Sequence, residues 1–262
     1  MKTGHGLTKS GMMALLVGAL AAGAEARGEA VAGVSVDVAV LSAYVWRGQV
    51  LNKDAVLQPG LTGSIGGFTA NAWSSMNLAG TETDGEFTEF DWTVAYSREV
   101  GPVELAAGVV QYTFPNSTVA GEDGSGAAYP GTVELFATAG MPGLPLGPSL
   151  GAYWDVDEID GFYAVASIGH AFGLTEKATL ELSASLGIGD KEYNEGYFGH
   201  GEAALNDLLL VARLPIEVGK NATLAPTIGY AALPDTELGD AAKEAYGEKE
   251  HWFGGVALGL SF

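Results

Sequence analysis

The chain has 262 residues, 47% of them hydrophobic, with no cysteine and a formal net charge of −20. The lack of cysteine excludes disulfides and thiolate metal sites. The strong acidity argues against nucleic acid as a partner, because nucleic-acid binding needs a basic surface.

The first 26 residues have the pattern of a secretory signal peptide. They combine two lysines, an apolar core between residues 11 and 23, and small residues at Ala24 and Ala26. The alternative is a membrane anchor, but a core of about 13 residues is too short, since a spanning helix needs roughly 20. We therefore predict cleavage after Ala26 and a mature domain over residues 27–262.

Strand patterns follow one another along the rest of the chain. In "EFDWTVAYS" (Glu89–Ser97) apolar side chains alternate with Glu89, Asp91 and Thr93, and a period of two is that of a β-strand. The same alternation marks residues 34–48, 178–189, 222–230 and 251–262, and less regular runs begin near Leu57, Phe68, Val103, Thr132, Gly147, Gly161 and Leu205. Together these runs predict twelve strands.

Alternation alone leaves open whether the apolar face lies in a soluble core or against lipid, because β-sandwiches alternate too. Aromatic residues on this face cluster near strand ends, which is typical of the two girdles around a lipid-facing band. One rim would carry Tyr44, Trp46, Trp154, Phe162, Tyr230 and Trp252, and the other Phe68, Tyr96, Phe172 and Phe262. Short connections, such as residues 66–67, alternate with longer acidic ones, such as residues 234–249.

These features, with export by the signal peptide, predict the fold class and its location. We expect an all-β chain that forms a transmembrane antiparallel up-and-down barrel in the bacterial outer membrane. Short turns would face the periplasm and longer acidic loops the outside. The last strand would pair with the first, because an open edge in hydrocarbon costs several kcal/mol per unpaired backbone group.

The segment Leu41–Leu78 carries a recognisable series of motifs: S-x-Y-x-x-R-G, then Q-x-G, then W-x-S. The matching residues are Ser42, Tyr44, Arg47, Gly48, Gln58, Gly60, Trp73 and Ser75. With the next hairpin, where Phe114 replaces the second tyrosine of a Y-x-Y-P motif, residues 34–115 resemble the TorF family of porins. The resemblance implies an outer-membrane pore of unspecified solute. It also implies that the barrel-assembly machinery reads Phe262 as an assembly signal.

Inward positions of the predicted barrel carry seven acids and two arginines. The predicted pore-lining residues are Asp37, Arg47, Glu89, Asp91, Glu104, Glu134, Asp155, Glu181 and Arg213. Buried charges must be paired or hydrated, and two arginines cannot pair all the acids. The pattern favours a narrow aqueous path that prefers cations, because rings of Asp and Glu select cations. The expected partners are outer-membrane lipid, lipopolysaccharide, and small solutes or cations.

Two alternatives remain open from the sequence. Four aromatic residues also occupy inward positions and would narrow the lumen: Trp73, Tyr112, Phe136 and Tyr153. If each arginine pairs locally with an acid, the lumen could be a polar plug in a structural or adhesive barrel without transport. A soluble secreted sandwich is the other alternative.

The sequence indicates no enzyme, cofactor or metal. Its histidines lie far apart, and it contains no catalytic triad spacing, metal-binding motif or phosphate loop. "FGHGE" (Phe198–Glu202) is interpreted as a polar loop tip rather than a pair of metal ligands.

Overall fold

The computed structural model describes residues 32–116, 118–120 and 126–262, and most of this chain is one antiparallel sheet of twelve long strands, to which the short strand Ile216–Glu217 adds beside Thr223 and Leu224. The strands are β1 (Ala32–Leu41), β2 (Val56–Ile65), β3 (Phe68–Asn77), β4 (Phe87–Val100), β5 (Val103–Thr113), β6 (Thr132–Gly140), β7 (Ser149–Asp155), β8 (Phe162–Gly173), β9 (Thr179–Gly189), β10 (Ala204–Arg213), β11 (Ala222–Ala232) and β12 (Glu250–Ser261). The predicted signal peptide lies outside the described residues.

The sheet closes on itself into a barrel. β1 pairs with β2 and with β12, where Val38 lies opposite Leu258. β10 pairs with β9 and with β11, so each of the twelve strands has two neighbours and the sheet has no free edge. The predicted fold class is confirmed.

The outer surface of the barrel is apolar. On β4, Trp92, Val94 and Tyr96 are 53%, 53% and 44% exposed, whereas the intervening Thr93 and Ala95 are buried. Exposed aromatic rings lie near both rims: Trp154, Phe162 and Trp252 at one, and Phe68, Tyr96, Phe172 and Phe262 at the other. A closed barrel with an apolar band between aromatic girdles is the spanning architecture of the outer membrane. The chain is therefore an outer-membrane β-barrel.

The two rims differ in the length of their connections. We call the rim with the Gly66–Gly67 turn the turn rim, and the opposite one, with the longer connections, the loop rim. Gly66 and Gly67 have φ values of 58° and 86°, as a two-residue hairpin turn that follows the sheet twist requires. The predicted alternation of short and long connections is confirmed.

Two connections at the loop rim contain helices: α1 (Lys191–Phe198) and α2 (Thr236–Tyr246). The sequence analysis predicted both segments as long acidic connections and did not predict these helices. Each helix begins at an aspartate whose carboxylate accepts hydrogen bonds from backbone N–H groups, and each ends at a glycine with positive φ. These residues are Asp190 and Gly199 for α1, and Asp235 and Gly247 for α2. These are the standard signals of helix ends. Neither described helix is long and apolar enough to cross a bilayer.

The first strand is shorter than predicted, and the chain after it turns into the barrel. β1 ends at Leu41, and residues Tyr44–Trp46 and Gln49–Asn52 form a separate hairpin, which we call the plug. Tyr44 is buried, and the ring of Trp46 packs on the inward-facing Tyr112. The prediction that Tyr44 and Trp46 belong to the outer aromatic girdle was therefore wrong.

Candidate functional site

Arg47 at the tip of the plug is clamped by Glu134 of β6. Its Nη1 donates to Glu134 Oε1 at 2.7 Å and its Nη2 to Oε2 at 2.8 Å, and each side chain is only 1% exposed. The Tyr112 hydroxyl donates to the same carboxylate at 2.9 Å. A two-point guanidinium–carboxylate pair fixes orientation as well as distance, so this contact determines how the plug sits in the lumen.

Aromatic rings surround the guanidinium group of Arg47. Its Cζ lies 4.5 Å from the ring centre of Trp46, 4.4 Å from those of Tyr153 and Tyr163, and 5.9 Å from that of Tyr193. Cation–π attraction is strongest where water is excluded, as it is here. Tyr193 belongs to α1, and burial raises the pKa of its hydroxyl, so the ring stays neutral at physiological pH. The loop helix thus completes the cage around Arg47.

The plug is held at three further points. Asn52 Nδ2 donates to Asn77 Oδ1 on β3 at 2.7 Å. The Tyr44 ring packs on Trp73, with 5.6 Å between ring centres. The Tyr246 hydroxyl of α2 lies 2.7 Å from Gln49 Oε1, so α2 holds the plug from the loop rim.

The other predicted acids near the loop rim fall into two kinds. Asp155 is a structural cap, because its carboxylate accepts from Thr132 Oγ1 at 2.6 Å and from the backbone N–H groups of residues 157–159. Glu89 and Asp91 lie side by side on the inner face of β4; Glu89 is buried, and Asp91 Oδ1 is buried without a hydrogen-bond partner. Among the described residues, neither of them forms an ion pair with an arginine.

Sequence reasoning missed Asp207 on β10. Its Oδ1 accepts the Tyr163 hydroxyl at 2.8 Å, while its Oδ2 is buried without a partner. The signal was present, because alternation along β10 places Asp207 on the same face as Arg213. The run from Leu205 alternates less regularly than the others, and Arg213 was the one inward charge of this run that was predicted.

A second group of predicted residues lies in the half of the lumen nearer the turn rim. Arg213 Nη1 donates to Glu181 Oε2 at 3.0 Å, and the two side chains are 37% and 23% exposed. Asp37 is within electrostatic range of Arg213, and Glu104 is exposed at the turn rim. Each of the two predicted arginines thus pairs with one acid, as the polar-plug alternative requires.

A cluster of apolar side chains lies between these two groups on the β10 side of the lumen. Along the inner face of β10 the order is Asp207, Leu209, Val211 and Arg213, and the two middle residues are buried with Phe253 in one cluster. The nine predicted pore residues therefore lie at two levels rather than in one continuous ring. Their role in lining a pore stays a prediction.

No metal site stands out among the described residues. They contain no group of three or more His, Asp or Glu side chains arranged to hold an ion. In the "FGHGE" segment, the contact between His200 and Glu202 is a backbone hydrogen bond of 2.9 Å.

The barrel can be placed among known proteins. Residues 25–200, more than half of the chain, match the family described as "Bacterial protein of unknown function (Gcw_chp)", and the chain belongs to this family. No curated protein matches the chain.

Solved structures of similar shape include several outer-membrane proteins. An outer membrane channel from Pseudomonas putida F1 is 12% identical, with 89% of this chain and 96% of that chain covered and a TM-score of 0.48. The NanC porin is 12% identical, with 87% and 98% covered and a TM-score of 0.46. OmpT, an outer membrane protein of Vibrio cholerae, is 8% identical, with 89% and 97% covered and a TM-score of 0.41. These values are too low to assign a function to this chain.

Proposed function

We propose that the barrel is porin-like and lets small cations or cationic solutes cross the outer membrane by a narrow path, which the plug restricts. The observation that carries this proposal is the excess of inward acids over inward arginines. Arg47 compensates Glu134, but Glu89, Asp91 and Asp207 lie in the same half of the lumen, where the described residues supply no second arginine. Inward carboxylates create a negative potential that favours cations. The resemblance of residues 34–115 to the TorF porins supports a pore but does not specify its solute.

A structural barrel without transport is the second candidate. It is favoured by the plug itself, since Arg47 is buried and aromatic side chains fill the space around it. In that case the acids would serve only to hold the plug and the loops in place.

Conductance in planar lipid bilayers separates the two functions. The wild-type chain should conduct and show a reversal potential of the cation-selective sign across a salt gradient. The Glu89→Gln/Asp91→Asn/Glu181→Gln variant should shift this potential toward zero, and the control is Glu82→Gln/Asp84→Asn/Glu86→Gln in an exposed loop. The control changes the same charge outside the lumen and should leave the potential unchanged. A wild-type barrel that never conducts would refute the passage and support the structural role.

We propose further that the chain reaches the membrane by the usual outer-membrane route. Cleavage after Ala26 would release the barrel, and the barrel-assembly machinery would recognise the last strand through Phe262, which is 72% exposed at the turn rim. The acidic loop rim would then meet lipopolysaccharide at the cell surface. The mass of the mature protein tests the cleavage point, and the yield of folded barrel after deletion of Phe262 tests the assembly signal.

A further inference from the structure

The residue at the tip of the plug is unusual for its backbone position. Arg47 and Gly48 form a two-residue hairpin turn with φ values of 44° and 80°. Turns with positive φ at both positions favour Asn-Gly, Asp-Gly or Gly-Gly, because a side chain is strained there. The backbone of the turn therefore does not explain why an arginine occupies this position. The explanation must lie in the contacts of the Arg47 side chain.

Most of the groups around the Arg47 guanidinium belong to the barrel rather than to the plug. Glu134 comes from β6, Tyr153 from β7, Tyr163 from β8 and Tyr193 from α1. Only Trp46 would leave with the plug. The wall and α1 thus form a receptor of one carboxylate and three ring faces.

This receptor is held in place by groups other than its ligand. The Tyr112 hydroxyl donates to Glu134 at 2.9 Å, and the Tyr163 hydroxyl donates to Asp207 at 2.8 Å. The carboxylate and one of the ring faces are therefore oriented independently of Arg47. Asp207 also adds a second negative charge behind the Tyr163 ring.

We propose that the lumen wall contains a binding site for a guanidinium cation, that Arg47 is its built-in ligand, and that solutes carrying a guanidinium group compete with Arg47 for it. The proposal identifies solutes with a guanidinium group as the class that would use the proposed passage. The role of this site in transport therefore rests on the proposed function. Binding itself does not need an open pore.

The chemistry of the site selects a guanidinium over other cations. A planar guanidinium can donate two parallel hydrogen bonds to Glu134 while its faces stack on rings. An ammonium group has no planar face to stack between rings, and a potassium ion has no hydrogen to donate. The chain offers an internal comparison in Arg213, which pairs with Glu181 in a half-exposed position. Among the described residues, no aromatic ring stacks on Arg213 as four do on Arg47.

The test vacates the site and refills it with a small probe. Arg47→Ala is folded as the full barrel in detergent micelles, with Arg213→Ala as the matched control. Methylguanidinium at low millimolar concentration should raise the midpoint of thermal unfolding of Arg47→Ala by at least about 2 °C. Its neutral analogue N-methylurea should not, and Arg213→Ala should respond to neither. No rise for Arg47→Ala, or an equal rise for both variants, would overturn the proposal.

Refolding yield covers the case in which Arg47→Ala folds poorly alone. Methylguanidinium during refolding should then increase the heat-modifiable, folded fraction severalfold, and absence of rescue rejects the site. In Arg47→Ala/Glu134→Gln the rescue should disappear, and a rescue that persists would show a non-specific effect and also reject the site. Rescue by methylguanidinium in a barrel that never conducts would refute the passage but keep the site. Conductance without any rescue by methylguanidinium would support the passage and refute the binding site.

Discussion

Replacing Glu134 by glutamine should destabilise the barrel far more than the same change elsewhere in the lumen. The Glu134 carboxylate accepts two hydrogen bonds from Arg47 and one from Tyr112, all of them buried. Glu134→Gln keeps the size of the side chain but leaves the Arg47 charge without its counter-charge. Loss of one partner of a buried ion pair costs about 3–5 kcal/mol.

Glu181→Gln is the control with which the loss of stability in Glu134→Gln is compared. It breaks the other arginine pair of the lumen, but its side chain and that of Arg213 are 23% and 37% exposed. Water can replace the lost partner there, so we expect a cost of about 0–1 kcal/mol. The difference between the two variants therefore reports burial rather than the chemistry of the substitution.

Urea unfolding in lipid vesicles, followed by tryptophan fluorescence and by heat-modifiable migration on gels, measures both losses. The double change Arg47→Met/Glu134→Leu removes both charges and should recover most of the stability that Glu134→Gln loses, because no charge is then left unpaired. Equal losses for Glu134→Gln and Glu181→Gln would refute the reasoning.

Three further predictions follow from the same structure. Leu258→Arg, on the lipid face near mid-strand, should cost about 2–4 kcal/mol, whereas Val34→Arg near the turn rim should cost about 0–1 kcal/mol; equal refolding of both would contradict the lipid-facing assignment of β12. Burial raises the pKa of the Tyr246 hydroxyl, so its contribution to stability is present at neutral pH and is lost as the pH rises above about 10 toward the raised value; Tyr246→Phe should make that alkaline loss shallower in a pH series of urea titrations. Protease added to intact cells should cut within residues 191–203 or 234–249 and spare the turns at 66–67 and 101–102; the reverse pattern would invert the orientation.

The barrel strands could be predicted because lipid on the outside and the lumen on the inside require apolar and polar residues to alternate along each strand. On β4 and β9 every second residue meets lipid and the others meet the lumen, so Trp92 and Leu182 are exposed while Thr93 and Ser185 are buried. No partner strand is needed to see this alternation. The capping residues of the helices, Asp190 and Asp235, are also present in the sequence, but the sequence analysis did not consider helices in these segments.

The end of β1 could not be predicted, because the alternation continues through Trp46 without a break. The strand stops where its pairing with β12 stops. The Ser42 N–H donates to the Gly254 carbonyl at 2.8 Å, and the Gly254 N–H donates to Ser42 Oγ at 3.0 Å. A β-carbon on the neighbouring Gly255 would collide with the Val40 carbonyl. This register information belongs to a segment more than 200 residues away along the chain.

The charged residues of the candidate site could be identified from the sequence, but the residues with which they pair could not. Arg47 and Glu134 are 87 residues apart and meet only because the plug turns into the lumen. Prediction placed Arg47 on the wall near a rim, where solvent would have shared its charge. The structure places it on a hairpin inside the barrel, where a single carboxylate and four rings enclose it.

The plug and the proposed cation preference are therefore linked by charge. With the plug in place, Arg47 pairs with Glu134, and the acids of this half of the lumen that form no ion pair among the described residues are Glu89, Asp91 and Asp207. Movement of the plug out of the lumen would remove one positive charge and expose the Glu134 carboxylate at the same step. A plug that left the lumen would then make the path wider and more acidic together, because the plug carries the guanidinium that pairs with Glu134.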